Sequence, residues 1–145
     1  MHGTRYFALF FGIIYMVIGI VGFIPGFHTM APAGAPHMDQ TESYGYLFGL
    51  FPINALHNVL HIVVGLMGIA SFPRFSLARG YCIFVFLLFG LLTVMGFMPQ
   101  LDTVWGWVPL FSGDTWLHAV TSLAGAFFAF VVPEPTEMEP APVTH

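Results

Sequence analysis

The chain has 145 residues, of which 57% are hydrophobic and only 7% are charged, whereas soluble domains are about 25% charged. So few polar side chains cannot cover a water-soluble fold of this size, which excludes a soluble globular domain and favours an integral membrane protein. Three arginines and no lysine exclude nucleic-acid binding through a basic surface. The single cysteine, Cys82, excludes a disulfide framework or a cysteine-based metal site within one chain.

Four apolar stretches are long enough to cross a bilayer as helices, which takes about 20 residues each. They cover residues 6–24, 47–72, 80–98 and 113–132. The first is longer than the apolar core of a signal peptide, so we expect it to be retained as a helix. The expected fold is all-α: one four-transmembrane-helix bundle over residues 1–132, followed at 133–145 by a disordered acidic cytoplasmic tail.

The few positive charges predict the orientation of these spans. Arg5 precedes the first span, and Arg74 and Arg79 lie between the second and the third. The two other connections contain acidic residues but neither lysine nor arginine. Cytoplasmic loops carry an excess of positive charge, so both termini are predicted to be cytoplasmic and the two longer loops to face outward.

The two halves of the chain resemble each other. An offset of 74 residues pairs Arg5 with Arg79 and the helix end Gly22-Phe23-Ile24-Pro25 with Gly96-Phe97-Met98-Pro99. An offset of 57 relates the second span to the fourth through the pairs Gly49 and Gly106, Pro52 and Pro109, Leu60 and Leu117, His61 and His118, Val63 and Val120, and Gly68 and Gly125. Two spans per copy predict two parallel two-helix repeats related by a pseudo-twofold along the membrane normal.

Polar side chains follow one face of the second and of the fourth span at helical spacing. They are Asn54, His57, Asn58 and His61 on the second, and Asp114, His118, Thr121 and Ser122 on the fourth. The hydrocarbon core of a bilayer contains no water that could hydrogen-bond these side chains. The two polar faces are therefore predicted to meet inside the bundle as one polar network. Pro52 and Pro109 suit helix starts, which places the network in the outer leaflet.

The sequence resembles a known bacterial family at these motifs. The run from Asn54 to His61, followed by Gly65, together with the later Asp114-Thr115-Trp116-Leu117-His118 and the Gly-Phe-x-Pro helix ends, is similar to the membrane-protein family called domain of unknown function 4383. The resemblance covers nearly all of residues 5–132 and implies four helices in a bacterial inner (plasma) membrane, with no assigned biochemical role. Members often carry Asp-Asn before the second Leu-His, whereas this chain has Thr115 after Asp114.

The polar network has more than one interpretation. It fits a purely architectural set of hydrogen bonds between helices. It also fits a transition-metal site formed by His57, His61, His118 and Asp114, with zinc, copper, iron and manganese all suited to these ligands. A third interpretation is a haem b held by His61 and His118. Movement of protons or solutes through so small a bundle is disfavoured unless the protein oligomerises.

The first long loop offers a separate candidate for copper, because thioethers and imidazoles suit Cu(I). Its residues are His28, Met30, His37, Met38 and Asp39. No Ser-His-Asp order, phosphate loop or dinucleotide fingerprint is present, which favours a non-enzymatic or accessory role. The expected partner is the lipid bilayer, and the sequence leaves open a homo-oligomer or a larger membrane complex.

Overall fold

The computed structural model describes residues 3–133 and is mostly helical. Its helices are α1 (Gly3–Val21), α2 (Ala55–Ser71), α3 (Phe75–Gly96) and α4 (Gly113–Ala126), and a π-helical turn at Phe127–Val131 continues α4. Three short strands, β1 (His28–Thr29), β2 (Gly45–Leu47) and β3 (Phe51–Ile53), form an antiparallel sheet in the first long loop. The predicted acidic tail falls outside the described residues except for Pro133.

The helices pack as two hairpins, α1 with α2 and α3 with α4, and the contacts between the hairpins are fewer. Small residues allow the backbones of a hairpin to touch. A Cβ added at Gly65 would lie 2.5 Å from the backbone nitrogen of Met16, and one added at Gly68 would lie 2.8 Å from the Cα of Gly12. Such close crossings are typical of helices that associate in membranes, where packing replaces the hydrophobic effect.

The same contacts recur in both hairpins at the sequence offsets of 74 and 57. Nε of Arg5 donates to the carbonyl of Phe72, and Nε of Arg79 donates to the carbonyl of Ala129, both at 2.8 Å. Each arginine thereby donates to one of the carbonyls that the end of the neighbouring helix leaves without a partner in the helix. The arginine contacts therefore repeat with the chain.

Close packing and backbone conformation repeat in the same register. Gly68 packs on the carbonyl of Ala8, and Gly125 packs on the carbonyl of Cys82. In the loops, positive φ angles at Phe48 (53°) and Gly49 (71°) recur at Trp105 (54°) and Gly106 (85°). Every one of these pairs obeys the two offsets.

Two helices, α1 with 19 residues and α3 with 22, are long and apolar enough to cross a membrane by length and composition. Helix α2 is shorter at 17 residues, and α4 has 14 residues before its π-helical turn adds five more. The outward faces of all four helices are apolar. Their exposed side chains include Phe10, Val17, Val63, Leu66, Leu87, Leu91, Val94, Val120 and Leu123.

Helix α2 begins at Ala55, later than the span expected from residue 47. Asn54 adopts an extended conformation, and its Oδ1 accepts a hydrogen bond from the backbone nitrogen of His57 at 2.9 Å, which caps the helix. The apolar residues before it pair as the β2–β3 hairpin instead. Its turn takes positive φ at Phe48 and Gly49, a conformation that Gly49 adopts without steric cost.

The two long loops are joined over the ends of α2 and α4. The backbone nitrogens of Asp39 and Gln40 donate to the carbonyl of Gly106 at 2.9 and 3.0 Å. Met38, Tyr46 and Phe111 pack together as a small apolar cluster of their own. The two loops, residues 22–54 and 97–112, thus form one unit that includes the sheet, and we call it the cap. The cap covers one end of the helices, and the three arginines lie near the opposite end.

The glycine contacts predict a difference between two matched substitutions. Gly65→Ala should lower the unfolding free energy in detergent by about 1–3 kcal/mol, because the new methyl meets backbone of α1 that cannot move aside. Gly80→Ala is the control, because nothing lies within 4 Å of its added Cβ. It should be neutral or stabilise by about 0.5–1 kcal/mol. Equal effects of the two changes, measured by thermal unfolding, would contradict the packing described.

Candidate metal centre

Four ionisable side chains from α2 and α4 gather at one point below the cap. His57 and His61 lie one turn apart on α2, and Asp114 and His118 lie one turn apart on α4. One ligand atom from each residue lies within 4.8 Å of all the others. All four side chains are buried, with at most 4% of any residue exposed. We call these four residues the His–Asp cluster.

The carboxylate of Asp114 lies between two imidazoles. Its Oδ2 is 3.4 Å from Nε2 of His118, and its Oδ1 is 3.8 Å from Nε2 of His57. A tetrahedral site with bonds of about 2.0–2.1 Å separates its ligand atoms by roughly 3.4 Å. The Asp114–His118 distance equals this separation, and all four ligand atoms lie within 4.8 Å of one another.

Most polar side-chain atoms of the cluster have no hydrogen-bond partner in the described part of the protein. Within residues 3–133, neither ring nitrogen of His61 or of His118 has a hydrogen-bond partner of good geometry, and Oδ2 of Asp114 also lacks one. Buried polar groups in folded proteins are nearly always paired, because an unpaired one costs about 1–3 kcal/mol. This set of lone pairs and one carboxylate matches the donor set of a transition-metal cation.

The cluster follows the internal repeat. His61 and His118 are related by the offset of 57, and so are His57 and Asp114. The cluster is therefore one helical two-residue motif present twice, with a carboxylate in the second copy where the first has an imidazole. That difference gives the cluster its one carboxylate.

Aromatic side chains of α1 and α3 hold two of the imidazoles. The ring of Tyr15 meets His61 edge to face at 5.1 Å between centroids, and its hydroxyl is 2.7 Å from Oγ1 of Thr121. Phe89 packs on His118 at 4.9 Å. Sequence reasoning missed these two supports, although a lone hydroxyl in the middle of the apolar helix α1 was a signal for Tyr15.

The other residues of the predicted polar network have separate roles in the structure. Asn54 caps α2, and its Nδ2 donates to the carbonyls of Gln40 and Trp107 at 3.1 and 2.8 Å. Ser122 donates to the carbonyl of Phe86 at 2.8 Å and so joins α4 to α3. Neither Asn54 nor Ser122 belongs to the His–Asp cluster, and the hydroxyl of Thr121 pairs with that of Tyr15.

Asn58 and its counterpart Thr115 lie against helix ends rather than in the cluster. The amide of Asn58 packs on Gly22, and it finds no hydrogen-bond partner in the part of the chain that the structure describes. Thr115 packs on Gly96, and its hydroxyl donates to the carbonyl of Leu110. The hydroxyl at position 115 thus makes a contact that the amide at position 58 lacks.

The residues of the predicted copper site in the loop differ widely in exposure. Met38 is 2% exposed and packs in the cap, whereas Met30 is 90% exposed. His37 and Asp39 approach each other at 3.8 Å with both side chains mostly exposed. The copper site of this loop therefore stays a prediction.

A haem between His61 and His118 does not fit the geometry. The two ring centroids are 6.5 Å apart, but the ring of His57 lies 4.3 Å from that of His61 and 6.0 Å from that of His118. His57 therefore occupies space that a porphyrin between the two ligands would need. The cluster therefore does not suit a macrocycle.

Comparison with known proteins agrees with the resemblance inferred from the histidine motifs. No curated protein and no solved structure matches the chain. The family described as "Domain of unknown function (DUF4383)" matches residues 5–131, a range that includes the whole His–Asp cluster and nearly all of the four helices. The chain therefore belongs to the family with domain of unknown function 4383.

Proposed function

We propose that this protein is a non-enzymatic, four-span bacterial plasma-membrane protein that holds one divalent transition-metal ion in its His–Asp cluster. The observation that carries the proposal is the convergence of four buried ligand atoms within 4.8 Å of one another. The proposal has two parts, the membrane placement and the ion, and each has its own test.

The outward faces of the helices support the membrane placement. Charged side chains within the described helices are limited to Arg5, Arg79 and Asp114. Both arginines are near one end of the bundle, and Asp114 is buried at the other. A lipid bilayer is the partner that suits such a surface. The proposed arrangement is two parallel hairpins with both termini cytoplasmic and the cap outside.

The missing hydrogen bonds favour an ion over an architectural network. Polar pairs between membrane helices contribute on the order of 0.6 kcal/mol each when they are formed. In the cluster the closest contacts, at 3.4 and 3.8 Å, leave both nitrogens of His118 unpaired within the described chain. A divalent cation would satisfy three imidazoles and the carboxylate at once, and imidazole with carboxylate suits zinc, iron, copper or manganese.

The number of ligands supports a binding role and not catalysis. Catalytic zinc sites take three protein ligands and keep one position open for water or substrate. Here four protein side chains complete a tetrahedral set. Because two come from α2 and two from α4, the ion would join the two hairpins, which contact each other less than the helices within each hairpin do.

Metal content tests the ion. Protein purified in detergent and reloaded separately with Zn²⁺, Mn²⁺, Fe²⁺ or Cu²⁺ should retain about one equivalent of at least one of them. His118→Ala and the shape-conserving Asp114→Asn should lower metal affinity at least tenfold, because each removes a ligand or its charge. His37→Ala is the matched control, since this histidine is exposed and lies outside the cluster. Elemental analysis and equilibrium dialysis supply the measurement.

A second readout covers variants that fold poorly. Wild-type protein loaded with Co²⁺ should show the intense visible d–d absorption of tetrahedral coordination, and a chelator should remove it and lower the melting temperature. Retention of less than about a tenth of an equivalent of every metal by well-folded wild type would overturn the proposed ion. Equal metal loss in His37→Ala would also count against the assigned ligands.

Cysteine labelling tests the membrane topology. In a Cys82→Ser background, Met30→Cys replaces a residue of the cap that is 90% exposed, and Ser76→Cys replaces an exposed residue in the first turn of α3, near Arg74 and Arg79. A membrane-impermeant maleimide should label position 30 in intact cells and position 76 only after lysis. The opposite pattern would overturn the orientation, and recovery of the protein in the soluble fraction would overturn the membrane placement.

A further inference from the structure

The His–Asp cluster is closed to water, so an ion can reach it only if some covering part of the protein moves. At most 4% of any of its residues is exposed. An ion could approach through either gap between the hairpins, along the bundle from the arginine end, or through the cap. What lines each approach decides which of them a divalent cation can use.

The two gaps between the hairpins are apolar. A cavity of about 340 Å³ lies between α2 and α3, and one of about 120 Å³ lies between α1 and α4. Among the described residues that line them, only members of the cluster are polar. The larger cavity is lined by the half-exposed Leu60, Val63 and Met67, on a face of α2 that would contact lipid tails. A divalent cation would lose its hydration there without gaining a ligand, so neither gap suits its passage.

The approach from the arginine end is filled by packed side chains. Tyr15 and Phe89 lie against the rings of His61 and His118. Both belong to an apolar core that extends toward the arginines and also contains Ala8, Val64, Ala78, Tyr81 and Val85. A cation from that end would have to pass through the whole of this core.

The cap is the remaining cover of the cluster, and its charge suits a cation. It contains Asp39, Glu42 and Asp102 but neither lysine nor arginine. Asp39 lies at the joint of the two loops, where its backbone nitrogen donates to the carbonyl of Gly106 and its carboxylate packs on the same glycine. Acidic groups that face water raise the local concentration of cations. In the proposed membrane placement, this end faces the outer aqueous phase.

Both loops of the cap lead directly into helical turns that carry ligands. Helix α2 begins at Ala55, in the turn that contains His57, and α4 begins at Gly113, next to Asp114. Strand β3 also reaches across to α4, because a Cβ added at Gly113 would lie 3.0 Å from the carbonyl oxygen of Leu50. A displacement of the cap therefore acts on the two helix starts from which His57 and Asp114 project.

The side chain of Asn54 connects both loops of the cap to the start of α2. Its Oδ1 accepts a hydrogen bond from the backbone nitrogen of His57 at 2.9 Å. Its Nδ2 donates to the carbonyls of Gln40 in the first loop and Trp107 in the second, at 3.1 and 2.8 Å. At the repeat offset of 57 the chain has Phe111, which offers no polar group. The first copy of the repeat alone carries this link.

We propose that the ion enters and leaves the His–Asp cluster through the cap, from the outer aqueous phase, and that Asn54 is the positioning residue that couples closure of the cap to the ligand His57. The inference rests on the proposed ion and on the proposed membrane placement. Closure of the cap and retention of the ion then favour each other, because both depend on the position of the first turn of α2.

Release of Co²⁺ from vesicles tests the route. Met30→Cys protein in the Cys82→Ser background is loaded with Co²⁺ and reconstituted, and EDTA, which does not cross a bilayer, is added outside. An impermeant maleimide on Cys-substituted position 30 reports the fraction of molecules whose cap faces outward. The fraction of Co²⁺ lost to EDTA, found by elemental analysis of desalted vesicles, should equal that labelled fraction. The rest should be lost only after detergent is added.

The variant Asn54→Ser tests the positioning residue. Serine still caps a helix but is too short to reach the carbonyls of Gln40 and Trp107. In detergent, the visible Co²⁺ spectrum should match that of wild type, because all four ligands remain. Release into excess EDTA should be at least about tenfold faster, because two buried hydrogen bonds of the cap are lost. Thr4→Ala is the matched control, since it removes a buried hydrogen bond to Phe128 at the arginine end and should release Co²⁺ at the wild-type rate.

Several outcomes would overturn the proposal. Loss of Co²⁺ from all vesicles, or only from molecules whose cap faces inward, would exclude the route through the cap. A wild-type release rate in Asn54→Ser, or an equal acceleration in Thr4→Ala, would remove the role of Asn54. Wild-type protein that binds no Co²⁺ or other metal would overturn the ion and this route together. Wild-type protein that retains Co²⁺ but loses it from the wrong side would overturn the route alone.

Discussion

The burial of a carboxylate among imidazoles, away from water, is the constraint on which the rest of the structure depends. Asp114 is 1% exposed, and its carboxylate lies 3.8 Å from Nε2 of His57 and 3.4 Å from Nε2 of His118. Ionised groups in a low-dielectric interior need a partner of opposite charge or a metal. The positions of α2 and α4 meet this need, because they bring the imidazoles of His57 and His118 to the carboxylate of Asp114.

Close backbone contact within each hairpin makes that facing possible. Gly65 and Gly68 let α2 lie against α1, and Gly125 with Ser122 does the same for α4 against α3. At the other end, Arg5 and Arg79 fasten the helix ends by equivalent hydrogen bonds. These contacts and hydrogen bonds hold the two helices of each hairpin together along their length. The His–Asp cluster lies where the two hairpins meet.

Periodicity and repeat offsets were enough to predict four helices and the members of the His–Asp cluster, because a polar face in an apolar helix has few alternatives. The start of α2 was not predictable in this way. Residues 47–53 are as apolar as the spans themselves. The capping hydrogen bond from the backbone nitrogen of His57 to Asn54 and the pairing of β2 with β3 decide where α2 begins. The cavity beside the cluster was also beyond the sequence, since it depends on the volumes of side chains that meet only in three dimensions.

The differences between the two copies carry the specific chemistry. If the two halves were identical, the cluster would contain either four imidazoles or two carboxylates and two imidazoles. The gap between α1 and α4 would then also be as wide as the gap between α2 and α3. Asp114 in place of a second His57 supplies the one carboxylate of the cluster, which would lower the cost of binding the proposed divalent cation there. Phe51, at the position that corresponds to Val108, narrows the gap between α1 and α4 to a cavity of about 120 Å³, whereas the gap between α2 and α3 contains a cavity of about 340 Å³. The repeated scaffold thereby contains one His–Asp cluster with a larger cavity on its α3 side and a smaller one on its α1 side.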